Sequence, residues 1–389
     1  MALPRNYYSK GKVRGRIVWS SATLLAAYTY WLVMSNLVIR DFWDPQYASR
    51  TQLLQARLKE SPNAKLWLVM GSSRVLWAFR PDLLHDKLRS ADTVAFNCGQ
   101  SGADLFRQMV SLKRLLADRI KPDLLTIEVF APQLCYEKST FVTTPEFLVR
   151  ARYDEIRTYV DYGADESALE RIWRSSRFNP FSEYGMKNKG RTRVGLLFPN
   201  WIRNLFDESF TDKWGWLPSK AAPIPADEYA HGFQMFAPQY KEYLQDWHAT
   251  PLSERCLMTM IAICKSHGIK TILVCMPNSS GLTNMYSKAT CKSFNAYMSQ
   301  IESQCGVKVI NAASWVSDEG FADGVHLNAT GAETFTLKLF GETFGSSSKN
   351  NITNLSWTSN LPISGIGVPH CIRPFVRAGS VTAGAFVIP

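Results

Sequence analysis

An Asp and a His three positions apart, in Asp323-Gly324-Val325-His326, stand far downstream of a Gly71-Ser72-Ser73 turn that ends an apolar run. A serine hydroxyl is a poor nucleophile unless a histidine takes its proton, and that histidine needs a carboxylate to fix its tautomer. Ser73, His326 and Asp323 supply those three roles, and the chemistry they would perform is acyl transfer through an acyl-serine. Glycine-rich turns such as Asn97-Cys98-Gly99-Gln100-Ser101-Gly102 can aim backbone N–H groups at an oxyanion. No other pair of elements in the chain offers a complete chemistry.

These residues act together only if the chain brings them to one edge of one sheet. Lys65–Met70, Thr93–Asn97, Asp123–Phe130, Lys270–Met276 and Val307–Ile310 read as short buried strands, each followed by a turn or a helix-forming stretch. Helical spacing marks residues 49–60, 104–118, 252–267, 288–305 and 331–340. Strands alternating with helices predict an α/β fold, a three-layer α/β/α sandwich with a mainly parallel sheet. Ligands bind beyond the carboxyl ends of such strands, which is where the 71–73, 99–102, 130–133 and 323–326 turns would gather. Residues 135–250 break the rhythm with Trp, Tyr, Arg and Pro, and read as an insertion able to cap that edge.

On these blocks the chain resembles the SGNH (GDSL-like) hydrolase superfamily, and within it the membrane-anchored branch that includes alginate O-acetylation proteins and the D-alanyl-lipoteichoic-acid accessory protein. The resemblance spans about residues 62–140 and 250–342, with the order of strands and motifs kept. It implies Ser73 as nucleophile, Asp323 and His326 as the acid–base pair, and the N–H groups of Ser73 and Gly102 as oxyanion donors. It further implies a serine esterase or O-acyltransferase that needs no cofactor and no metal, acting on an acylated polysaccharide or an acyl donor, with a multi-spanning membrane acyltransferase as a candidate partner. A non-catalytic glycan-binding or scaffolding protein of the same shape is the rival. The departure that favours this rival is Pro132, which falls where the family carries an oxyanion-hole Asn and has no N–H to donate. Losing one such donor costs roughly 10²–10³ in rate. Gln133 is the nearest replacement, and Arg74, Gln133 and Asn97 are the candidates for touching substrate. Arg74 would meet an anionic substrate or pair with Glu128.

The remaining features bound the setting. Ile17 to Ile39 carries no charge, and at 1.5 Å per residue a helix of this length covers about 34 Å, enough to span a bilayer. It is longer than a typical signal-peptide core, so it reads as an uncleaved anchor. Arg5, Lys10, Lys12, Arg14 and Arg16 precede it, which places residues 1–16 in the cytoplasm and the chain after residue 40 outside, as a single-pass type II protein. Residues 40–61 then form a juxtamembrane helix or linker, 62–344 the catalytic domain, and 345–389 an irregular tail. The net charge of +11 is concentrated near the N-terminus and the chain lacks a nucleic-acid-binding signature. Eight cysteines show no framework spacing, which leaves room for one or two bridges. Trp173, Trp201, Trp214, Trp216 and Trp247 in the insertion are candidates for stacking on sugar rings, set against ordinary packing, and Lys187–Arg193 reads as a solvated basic loop.

Overall fold

Runs that are apolar on both faces suit only a sheet covered on both faces, and that is how these strands are used. A computed structural model describes residues 10–39, 41–89, 92–179, 211–219 and 224–345. Its strands are β1 (Lys65–Met70), β2 (Thr93–Asn97), β3 (Leu124–Val129), β4 (Lys270–Cys275) and β5 (Lys308–Asn311). All pair in parallel in the order β2-β1-β3-β4-β5. The longer helices are α1 (Lys10–Val33), α2 (Pro45–Glu60), α3 (Ser73–Ala78), α4 (Leu105–Ala117), α5 (Glu166–Phe178), α6 (Ala226–Phe236), α7 (Pro251–Ser266), α8 (Lys288–Cys305) and α9 (Ala329–Phe344). The chain moves outward from β1 to β2, then returns past β1 to β3, so right-handed crossovers place successive helices on opposite faces. Accordingly α4 packs on α7, and α3 packs on α9.

Side-chain alternation along β1 shows the two faces. Leu66, Leu68 and Met70 enter the large core shared with Phe106, Met109, Leu112, Leu257 and Met260. Trp67 points the other way, edge-on to Phe79 and Phe344 at centroid distances of 5.0 and 5.2 Å. Its indole N–H reaches Thr126 Oγ1 at 3.0 Å, so the ring's polar atom is satisfied although the residue is fully buried.

The N-terminal helix is apolar and long enough to cross a membrane over Lys12–Val38, and it leaves Ile17, Trp19, Leu24 and Leu25 exposed. Residues 41–60 pack against the domain. Phe42, Trp43, Tyr47 and Leu54 are buried. Asp44 caps α2 by accepting from Tyr47 N at 3.3 Å, with Pro45 in the first turn, where a missing N–H costs nothing. The same carboxylate meets Arg107 and Arg114 of α4, each at 2.5 Å, with Arg150 at 3.9 Å. Arg114 also pairs with Glu155 at 2.6 Å, while Arg152 bridges Asp41 and Asp118. Burial alone would push the Asp44 carboxyl up, but the surrounding guanidinium charges override it and hold it well below the usual carboxylate range. Toward its C-terminal end α1 is tied to α5, through Tyr28 Oη donating to Phe178 O at 2.8 Å.

The seven cysteines among the described residues are all unpaired. Cys371, the Lys187–Arg193 stretch, Trp201 and the tail from residue 346 lie outside the described residues.

Candidate active site

The nucleophile's position follows from how β1 gives way to α3. Ser72 is the N-cap, its hydroxyl accepting from Arg74 N at 3.2 Å. Ser73 is therefore the first helical residue, where a backbone N–H has no partner within the helix. Its side chain stays half-buried at the carboxyl edge of the sheet. Ser73 Oγ lies 2.7 Å from His326 Nε2 although the two are 253 residues apart in sequence. His326 Nδ1 lies 2.7 Å from Asp323 Oδ2. With Nδ1–H directed to the carboxylate, Nε2 is the atom left to accept from the serine hydroxyl.

Asp323 is held from several sides. Its Oδ1 accepts from Val325 N at 2.9 Å and from His326 N at 2.7 Å. Burial raises the carboxyl's pKa, but the hydrogen bond and charge of His326 and these two backbone donors outweigh it, and the group lies below its ordinary value. It is thus ionised at neutral pH. Asp323 does not cap the following helix. Asn328 does, accepting from Thr330 N and Gly331 N at 3.0 Å each.

The acid–base loop is covered by α6, a helix from the insertion that sequence periodicity did not single out. Its signal was present, since Pro225 precedes it and Asp227 and Glu228 occupy its first turn. Phe236 stands edge-on to the His326 imidazole and Trp77 of α3 lies on another side, both with centroids 5.2 Å away. Gly324 adopts a φ of +76°, and a Cβ there would meet the Phe233 ring. These rings exclude water around the imidazole while Ser73 stays accessible.

Beneath the nucleophile, β3 contributes Glu128, fully buried, whose Oε2 accepts from Ser72 N at 2.5 Å. Gly71 is required for this approach, because a Cβ there would collide with both Glu128 Oε2 and Val75 Cγ2. Gly71→Ala is expected to cost about 1–3 kcal/mol by overpacking, and to displace Ser73 as it does so. Thermal unfolding of the variant, read beside its ester turnover, checks both effects. Wild-type stability with wild-type turnover would show that the close approach is dispensable.

The other expected site residues fall into place differently. The Gly102 turn packs on the nucleophile turn through Gln100 N donating to Gly71 O at 2.9 Å, and Gly102 itself is exposed with a φ of +69°. Asn97 cannot touch substrate. It is fully buried, its amide donates to the carbonyls of Val75, Leu76 and Phe79, and its Oδ1 accepts from Gly99 N. Gln133 is also turned inward, donating to Ala103 O at 3.0 Å, so it pins the Gly102 turn. Arg74 does not pair with Glu128; it donates to Pro277 O at 2.5 Å and Asn278 Oδ1 at 2.8 Å, and lies over the Phe130 ring at 4.2 Å. Pro132 sits buried in the short helix Ala131–Leu134. The tryptophans expected as sugar-stacking candidates are packing residues where described. Trp214 and Trp216 are buried, Trp247 packs on Phe294 and Tyr297, and Trp173 lies beside Tyr153 and under Arg177.

Residues 32–183 match a family described as a protein of unknown function, DUF1574. No curated protein matches the chain. Among solved structures, the chain is similar to a GDSL-like lipase from Bacteroides thetaiotaomicron, at 10% identity and a TM-score of 0.33, over 78% of this chain and 98% of that one. It is similar also to a candidate arylesterase from Agrobacterium tumefaciens, at 12% identity and a TM-score of 0.31, over 72% and 97%.

Proposed function

We propose that this chain is a membrane-anchored serine esterase or O-acyltransferase of the SGNH type, acting outside the cytoplasm on acyl esters of a cell-surface or exported polysaccharide. The observation that carries the reading is the Ser73–His326–Asp323 relay, with both contacts at 2.7 Å. In the first step Ser73 Oγ bonds to the acyl carbon as its proton passes to His326 Nε2. The negative charge on the carbonyl oxygen meets the N–H groups of Ser73 and Gly102. As the tetrahedral species collapses, the leaving oxygen takes the proton back from Nε2, giving an acyl-Ser73 and a free alcohol. Water or a sugar hydroxyl then attacks the acyl-serine with His326 as base, and the identity of that acceptor separates hydrolase from transferase. The long apolar helix and the basic residues before it support the anchor and its orientation. A multi-spanning acyltransferase is the partner this arrangement would serve.

The second reading is an accessory or glycan-binding protein that keeps the fold without turnover. Pro132 favours it, because no N–H is present where a third oxyanion donor is expected. The full-length protein in detergent, given an activated acetyl ester with and without a soluble glycan acceptor, distinguishes the two. Turnover that vanishes in Ser73→Ala supports the enzyme, and acetyl recovered on the glycan identifies transfer. No Ser73-dependent release under either condition would leave the accessory reading standing.

A further inference from the structure

A cavity of about 560 Å³ opens at the carboxyl ends of β3, β4 and β5, a size that suits a sugar-sized ligand by the usual range of roughly 300–1,000 Å³. Its floor is apolar, formed by Val129, Phe130, Cys275 and Met276, and its mouth carries the exposed amides of Asn284 and Asn295. It adjoins the candidate catalytic residues on two sides. Arg74, which lines it, follows Ser73 directly, and Asn278 and Ser280 in its wall flank Ser279, whose hydroxyl holds Gly324 O at 2.6 Å.

The cation that lines this cavity has unmet hydrogen-bond donors. Arg74 is only 3% exposed. One guanidinium nitrogen, Nη2, holds Pro277 O and Asn278 Oδ1, while Nε and Nη1 have no hydrogen-bonding partner among the described residues. Glu128 does not pair with Arg74: Glu128 Oε2 accepts from Ser72 N, and Oε1 has no hydrogen-bonding partner among the described residues. The one acidic residue in the lining, Asp318, sits exposed at the mouth, where it accepts from Ser280 N at 2.7 Å and from the Ser280 hydroxyl. A buried cation with unmet donors is costly to keep, and a planar guanidinium fixed by stacking on Phe130 is preorganised for an oxyanion. Resting on the serine-enzyme reading, we propose that this cavity binds an anionic part of the substrate, a carboxylate or phosphate group on a sugar-sized unit, with Arg74 as its counter-charge.

The test is calorimetric titration of the full-length protein in detergent at low salt, with glucuronate, glucose 6-phosphate and neutral glucose as probes. Saturable binding of either charged sugar, with glucose silent, is expected, and whichever binds identifies the anion as carboxylate or phosphate. Arg74→Gln should weaken that binding at least about tenfold, which is the loss of one charge-assisted contact, and Arg74→Lys should restore part of it. Asn278→Ala, which frees the guanidinium from one of its tethers, should weaken binding without removing the charge. Thermal unfolding shows whether each variant is folded, and the Asn278 variant carries the test if Arg74→Gln is not. Binding equal for glucose and the charged sugars, or unchanged in the folded variants, overturns the proposal, as does no saturable binding. Ester turnover of the wild-type protein and of Ser73→Ala, measured beside the titration, separates this claim from the catalytic one. Anion binding by a wild-type protein that shows no Ser73-dependent turnover would sink the enzyme and keep the pocket, and Ser73-dependent turnover without anion binding would do the reverse.

Discussion

Ser73→Ala lowers turnover of an activated acetyl ester by roughly 10⁴–10⁶, as removal of a serine nucleophile does in an intact triad. The expectation comes from geometry: Oγ, Nε2, Nδ1 and Oδ2 form one chain of two 2.7 Å contacts. His326→Ala should cost about as much, and the double variant scarcely more than either single one, because the residues act as a unit. Asp323→Asn keeps the shape but reverses the hydrogen-bond preference at Nδ1, for a loss on the order of 10⁴. Initial rates on the full chain, with each variant's thermal unfolding recorded, check the series. Additive losses would mean that the three side chains do not work together. The pH dependence has a definite sign on one side. The Asp323 pKa is depressed in the folded protein, so the stability it contributes is fully present above the unfolded carboxylate value and is lost as pH falls through the lower, folded one.

The largest effect on stability is expected at Asp44. Asp44→Ala leaves Arg107 and Arg114, whose side chains are 1% exposed, without their shared counter-charge, and breaking a buried pair in this way costs about 3–5 kcal/mol. For a chain of this size that lowers the unfolding midpoint on the order of 10 °C. The partly exposed Arg80–Asp82 pair is the control, and Asp82→Ala should cost no more than about 1 kcal/mol. Because the folded pKa of Asp44 lies below the unfolded one, the difference between wild type and Asp44→Ala should be constant above the unfolded carboxylate value and shrink only in stronger acid. Equal midpoints for the two variants would show that the arginines find other partners. The network has a structural consequence too. It ties the segment after α1 to α4 and to the insertion.

What could be read from the residues alone divides along a physical line. The five strands and their parallel arrangement were legible because burial on both faces writes continuous apolar runs into the chain. Ser73 was legible because it follows a strand end, where turn residues stand out, and Asp323 and His326 because an acid and an imidazole three positions apart suit a base and its orienter. Asn97 misled: it ends β2 beside a site-forming turn, yet its amide is consumed by three carbonyls around α3, a long-range pairing that leaves no trace in local sequence. The Asp44 network was illegible for the same reason. Arg107, Arg114, Arg150 and Arg152 look like solvated charges until the fold brings carboxylates to them. The cover that α6 places over His326 depends on contacts between Gly232 and Asp323, and between Phe236 and the imidazole, which neither segment announces by itself.

The central claim is that Ser73 is a nucleophile activated by His326. A fluorophosphonate probe tests it most directly, because the serine oxygen displaces fluoride and leaves a stable phosphonyl ester that peptide mass spectrometry can place. One adduct is expected on the full-length protein, on Ser73, absent in Ser73→Ala and slowed at least about a hundredfold in His326→Ala, as loss of a general base requires. An unlabelled Ser73 in folded protein, or labelling at the same rate without His326, would contradict it.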